Sequence, residues 1–158
     1  MSFIEDVKQR AKKDIKTIVL PEATDIRILE AASIVLKEEF AKIILVGNKE
    51  EILEIAKQNN LDISRAEIID PIKSPKSKEY ANTLYELRKE KGMTIEEASN
   101  LVKDPVYYGM MMVKDEEVVA DGLVSGAIHS TSDTLRPALQ ILKTAPNTKL
   151  VSAFFIMV

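Results

Sequence analysis

Apolar positions along the 158-residue chain alternate between two spacings, and each spacing predicts a different element. The first is helical: Phe3, Ile4, Val7 and Ala11 fall on one face of an amphipathic helix. The second is a short continuous run. "TIVLP" (Thr17–Pro21) is β-branched and stopped by proline, which predicts a strand. Asp25 then stands where an N-cap belongs, ahead of the helical positions Ile26, Leu29, Ser33 and Leu36. "KIILVGN" (Lys42–Asn48) predicts a buried strand closing in a turn, and Ile52, Ile55 and Ala56 line the helix after it. "AEIIDP" (Ala66–Pro71) is a third strand, "IKSPKSK" a loop, and Tyr80, Leu84 and Leu87 mark one face of a long helix.

Two sharp helix starts follow. "TIEE" (Thr94–Glu97) is a capping box with Ala98, Leu101 and Val102 behind it. Asp104 and Pro105 fit an N-cap and a first helical position. "DGLVSG" (Asp121–Gly126) predicts a fourth strand and "LVSAFFIMV" (Leu150–Val158) a fifth. Wholly apolar strands alternating with helices predict an α/β fold, a parallel sheet covered on both faces in three α-β-α layers. Ligands of such sheets sit outside the carboxyl ends of the strands. Those ends read "LPEATD", "VGN", "IDP" and "VSGAIHSTSD", of which the last is the richest.

Composition narrows the chemistry. Hydrophobic residues at 46% and charged residues at 30% describe a globular protein. A net charge of −3 gives no general attraction to nucleic acid or acidic lipid. With no cysteine and one histidine, neither a disulfide scaffold nor a metal centre is expected. The charged start "MSFIEDVKQRAKKD" reads neither as a signal peptide nor as a membrane span, so a cytoplasmic enzyme or binding domain is expected. The apolar run "KLVSAFFIMV" at the other end needs a cover, which leads us to expect a longer parent chain.

The stretch Ser125–Thr144, "SGAIHSTSDTLRPALQILKT", concentrates small polar groups where a strand hands over to a helix. A helix N-terminus attracts anions through its unpaired N–H groups. Ser130, Thr131, Ser132 and Thr134 add short donors, and Gly126 lets the backbone approach a ligand. Arg136 adds a planar fork suited to two phosphate or carboxylate oxygens. Pro137 leaves two starts open: Arg136 is itself the N-cap, or the helix begins near Ser132 or Asp133 and distorts at the proline. Behind Arg136, Leu135, Leu139 and Leu142 form a helical stripe with Ala138 and Ile141 beside it. Capping alone needs one such residue, and His129 reads either as a hydrogen-bonded structural residue or as part of the site. Arg88, in "YELRKEKG", lies at the edge of its helix's core face, where a solvated charged surface is the plainer reading. Walker A and G-x-G-x-x-G fingerprints are absent.

"LPEATDIR", "YELRKEKG" and "VSGAIHSTSDTLRPALQILKT" followed by "SAFFIM" resemble the phosphotransacetylases, or phosphate acetyltransferases, along the whole chain. The resemblance implies reversible transfer of an acetyl group between coenzyme A and inorganic phosphate, without a metal or cofactor. It implies a two-domain fold like the isocitrate and isopropylmalate dehydrogenases, in homodimers about twice this length. Residues 1–147 would be the N-terminal α/β domain and 148–158 the start of a second. It places substrate binding on Arg88, Ser130, Thr131, Ser132 and Arg136, with the catalytic aspartate and its companions in a C-terminal segment that this sequence does not contain. The partners implied are coenzyme A, acetyl-CoA, phosphate and acetyl phosphate. Two alternatives stand beside it: a phosphate butyryltransferase, which differs in acyl pocket, and a non-catalytic domain that binds coenzyme A or phosphate.

Overall fold

The computed structural model describes residues 2–152 and 157. The elements run α1 (Phe3–Lys13), β1 (Lys16–Leu20), α2 (Ile26–Glu38), β2 (Ala41–Val46), α3 (Lys49–Gln58), β3 (Glu67–Ile69), α4 (Ser77–Arg88), α5 (Ile95–Leu101), α6 (Pro105–Lys114), β4 (Gly122–Leu123) and α7 (Thr131–Ile141). A 3-10 turn, Lys89–Lys91, prolongs α4 and ends at Gly92. The strands form one parallel sheet in the order β3-β2-β1-β4, with Ile18 beside Ile43 and Gly122, and Ile44 beside Glu67. The α/β reading holds.

Side chains of a strand alternate between faces, so apolar strands feed two cores. Val19, Ile44 and Val46 face one side, against Tyr80, Leu84, Ala98, Met111 and Ile141 from α4 to α7. Leu20, Ile43 and Leu45 face the other, against Leu29, Ala32 and Leu36 of α2 and Ile52 and Ala56 of α3. Leu29, Leu45 and Ile52 are fully buried, each stabilising by about 1.5–3 kcal/mol relative to exposure.

The expected helix starts are in place. Asp25, Asn48 and Asp104 accept from the first-turn amides of α2, α3 and α6, and Thr94 with Glu97 makes a complete capping box. Differences lie in extents and faces. β3 stops at Ile69 because Asp70 turns the chain, its Oδ1 accepting from the Ile72 N–H at 2.9 Å. β4 is two residues long, flanked by Asp121, whose Oδ2 accepts from the Thr17 N–H, and by Val124, whose N–H donates to the Val19 carbonyl. α2 buries Ala32, whereas Ile26 is exposed and Ser33 is only partly covered. α7 turns Pro137, Ala138 and Ile141 towards α4 and α6, which leaves Leu139 and Leu142 exposed. The fifth strand, Leu150–Val158, falls largely on residues outside those described; Leu150, Val151, Ser152 and Met157 carry no strand.

Candidate functional site

β1 ends at Leu20, and Pro21 then stops the ladder, so Glu22 lies beyond the carboxyl edge of the sheet. β4 runs alongside, and the chain after Val124 enters the loop Ser125–His129 above the same edge. These two segments meet in one feature. The Glu22 side chain has no exposed surface, and its two oxygens collect successive amides of the loop. Oε2 accepts from the N–H groups of Gly126 at 2.9 Å and Ala127 at 2.8 Å. Oε1 accepts from Ile128 at 2.9 Å and His129 at 2.8 Å, and lies 2.8 Å from His129 Nδ1. Gly126 supports this arrangement with φ of +122°, a conformation that L side chains rarely adopt.

Burial acts to raise the Glu22 pKa, but the amides of Ile128, His129 and Ala127 and the His129 ring together outweigh it and bring the value down to about 2. An ionised carboxylate only accepts, so Nδ1 of His129 must be the donor. His129 is therefore a structural partner of Glu22, one of the two roles its position allowed.

α7 begins directly after this loop. Ser130 is its N-cap, with Oγ accepting from the Asp133 N–H at 3.2 Å and donating to Asp133 Oδ2 at 2.6 Å. The helix thus starts at Thr131, earlier than either expected start, because the Ser130–Asp133 capping box fixes it there. Pro137 lies inside the helix, where it removes the N–H that would reach back to the Asp133 carbonyl. Ser132 Oγ is 2.9 Å from Ser130 Oγ, and Thr134 Oγ1 donates to Ser125 Oγ at 3.3 Å. Ser125, Ser130, Ser132 and Thr134 are therefore engaged locally, while Ser130, Thr131 and Ser132 remain exposed. The Asp133 carboxyl is held below its usual range, chiefly by the Ser130 hydroxyl.

Arg136 is exposed one turn further along α7 and makes no hydrogen bond or ion pair with the described residues. Arg88 ends α4 and is part-buried, so it does not belong to a solvated face. Its Nε is buried without a partner among the described residues, and the side chain lines a cavity of about 530 Å³ with Met93, Asn100, Leu101 and Gln140. Tyr107 of α6 reaches Gln140, a residue of that cavity. Its hydroxyl donates to Gln140 Oε1 at 3.0 Å. Burial raises the Tyr107 pKa, while the charges of Arg136 and Arg88 oppose that rise. Arg88 thus meets α7 at Gln140, in its last turn, whereas Ser130, Thr131 and Ser132 stand at its start with Arg136 between.

Sequence reasoning missed Glu22. It took Gly126 to let the backbone approach a ligand, whereas the amides of 126–129 turn to a protein carboxylate. The available signal was a lone acid directly after a strand-ending proline, opposite a loop of small residues.

Residues 2–158 match the profile of the phosphate acetyl/butaryl transferase family. A phosphate acetyltransferase from Acetivibrio thermocellus is 59% identical over the whole chain, which covers 46% of that protein. One from Thermoanaerobacterium thermosaccharolyticum is 57% identical over 99% of the chain and 47% of its own length. A phosphotransacetylase structure from Streptococcus pyogenes superposes with a TM-score of 0.86 at 35% identity, covering 95% of this chain and 46% of that one. The chain spans about half the length of these relatives. It belongs to the phosphate acetyl/butaryl transferase family.

Proposed function

We propose that the chain forms the anion-binding half of an enzyme that moves an acetyl group reversibly between coenzyme A and inorganic phosphate. The observation that carries this reading is Arg136, exposed and without a partner among the described residues, beside three exposed hydroxyls at the start of α7. Arg88, whose buried Nε has no partner among the described residues, supplies a second cation, on the cavity that Gln140 of α7 also lines. Phosphate, acetyl phosphate and coenzyme A are polyanions, and a charge-assisted bond from a guanidinium contributes about 1.5–3 kcal/mol. In the reaction the coenzyme A thiolate attacks the acyl carbon of acetyl phosphate, the oxyanion collapses, and phosphate leaves. Positive groups beside the carbonyl and phosphate oxygens lower that barrier.

The thiol proton needs an acceptor whose pKa lies near the working pH. Glu22, at about 2, and Asp133, held low by Ser130, are poor candidates. The acceptor in this reading comes from a segment beyond Val158, and residues 148–158 open a second domain. The reading further carries a cytoplasmic homodimer that uses no metal or cofactor. Among the described residues, no helix is long and apolar enough to cross a membrane.

The test is calorimetric titration of the chain with coenzyme A and with phosphate, alongside an assay of acetyl-CoA formation from acetyl phosphate. Binding of both ligands with negligible turnover is expected. Absence of binding refutes the anion site, and turnover of about 1–1000 per second refutes the placement of the acceptor. Relatives named phosphate acetyltransferase favour acetyl over butyryl transfer, and acetyl-CoA against butyryl-CoA in the longer enzyme separates the two.

A further inference from the structure

The loop between β4 and α7 is gripped from two sides. On the inner side, four consecutive amides, Gly126 to His129, converge on the buried Glu22 carboxylate, and the His129 ring adds a fifth donor. A carboxylate offers about four lone-pair sites, so Glu22 is saturated and has nothing left for a substrate. On the outer side, the carbonyl of Ala127 accepts from Arg27 Nη2 at 2.8 Å. Arg27 is held by Asp25, with Nε donating to Oδ1 at 3.0 Å and Nη2 to Oδ2 at 2.7 Å. Asp25 is in turn the N-cap of α2.

We propose that Glu22 and Arg27 are positioning residues for the anion site: a two-sided clamp that fixes the backbone of 126–129 and so sets where Ser130–Ser132 and Arg136 stand. The inference rests on the reading of those four residues as the anion site. Its geometric basis is the lack of slack. His129, the last residue held by Glu22, directly precedes Ser130, the N-cap of α7. Any shift of the clamp is therefore passed to the exposed hydroxyls and to the helix that carries Arg136. Neither clamp residue has to touch a ligand, and displacements of about 1 Å can cost on the order of a hundredfold in a positioned site. The clamp also explains why "LPEATDIR" and "VSGAIHSTSD" are both distinctive although 104 positions separate Glu22 from Gly126. They are two halves of one contact.

The experiment compares the whole chain with Glu22→Gln, Glu22→Asp and Arg27→Ala, by amide hydrogen exchange and by titration with coenzyme A and inorganic phosphate. Glutamine keeps the length but has a single acceptor oxygen, so part of the donor set loses its partner. In Glu22→Gln, exchange at 126–129 is expected to rise at least about tenfold, with β1 and β2 unchanged, and the coenzyme A Kd to rise by a similar factor. Glu22→Asp, which keeps the charge, recovers part of both. Arg27→Ala, on an exposed side chain, gives a smaller effect in the same direction, about threefold.

Faster exchange throughout the sheet with unchanged affinity overturns the proposal, because Glu22 is then only a contributor to overall stability. Loop exchange like that of the unaltered chain in both Glu22→Gln and Arg27→Ala overturns it as well. If Glu22→Gln does not fold, Arg27→Ala decides, since that residue lies outside both cores. If the unaltered chain binds neither ligand, the reading of the anion site has failed, and loop exchange in the variants still decides whether the clamp exists.

Discussion

Acid should loosen this protein through one buried carboxylate more than through its exposed ones. Glu22 titrates near 2 in the folded chain, against 4.5 for an ordinary glutamate. A lowered folded pKa means that the unfolded chain takes up the proton first. The stabilisation is therefore complete above about pH 4.5 and disappears as pH falls towards 2. A difference of about 2.5 pH units corresponds to about 3 kcal/mol, and the linkage relation places about 2 kcal/mol of that loss above pH 3. Other carboxylates are also held low, among them Asp25, Asp115 and Asp133. Acid sensitivity of the unaltered chain alone is therefore not diagnostic. The difference between it and Glu22→Gln isolates the residue, because glutamine does not titrate. Urea unfolding followed by circular dichroism from pH 7 to pH 3 measures that difference. The stability advantage of the unaltered chain should shrink by about 2 kcal/mol across this range. An advantage that stays constant with pH would show that Glu22 is not held ionised by the loop, and the argument from its hydrogen bonds would fall.

Three further outcomes follow from packing and charge. Arg136→Ala should weaken phosphate and coenzyme A binding by about 10- to 100-fold at an unchanged thermal midpoint, because the side chain is exposed and unpaired with the described residues; a fall in midpoint with unchanged affinity would make it a structural residue. Arg88→Lys should recover little of what Arg88→Ala loses in the same titration, since a lysine ammonium cannot reproduce a planar fork, and full recovery would reduce Arg88 to a point charge. Gly109→Ala would bring a Cβ to 2.6 Å from Leu123 Cδ1 and 3.0 Å from Val19 Cγ1. The close approach of α6 to β1 and β4 should then cost about 1–3 kcal/mol, read as a lowered midpoint, and no change would mean that Leu123 swings aside freely.

What was legible in the sequence was whatever is decided within a few residues. Thr94 with Glu97 and Asp104 with Pro105 announce helix starts because both partners lie within one turn. β1 and β2 were legible because strands covered on both faces are apolar throughout. α7 was harder. Its first turn holds a capping serine, Ser130, and two further candidates, and the proline that suggested a later start is tolerated inside the helix. Its apolar stripe was ambiguous too, since Leu139 and Ile141 both suit a core and only the position of α4 and α6 chooses Ile141.

The candidate site shows the same limit in its chemistry. The anion attraction was read from the helix N-terminus, the hydroxyls and Arg136, whereas the converging amides of the structure belong to the loop before them. The occupant was not legible, because it depends on the meeting of the ends of β1 and β4, which no local pattern encodes. With Glu22 in place, the four amides of 126–129 already face a full negative charge and lend nothing to a second anion. In the proposed reading, attraction of a phosphate comes instead from the guanidinium groups of Arg136 and Arg88, with the hydroxyls of Thr131 and Ser132 and the first-turn amides of α7 supplying direction. The loop contributes rigidity, and the side chains contribute the charge.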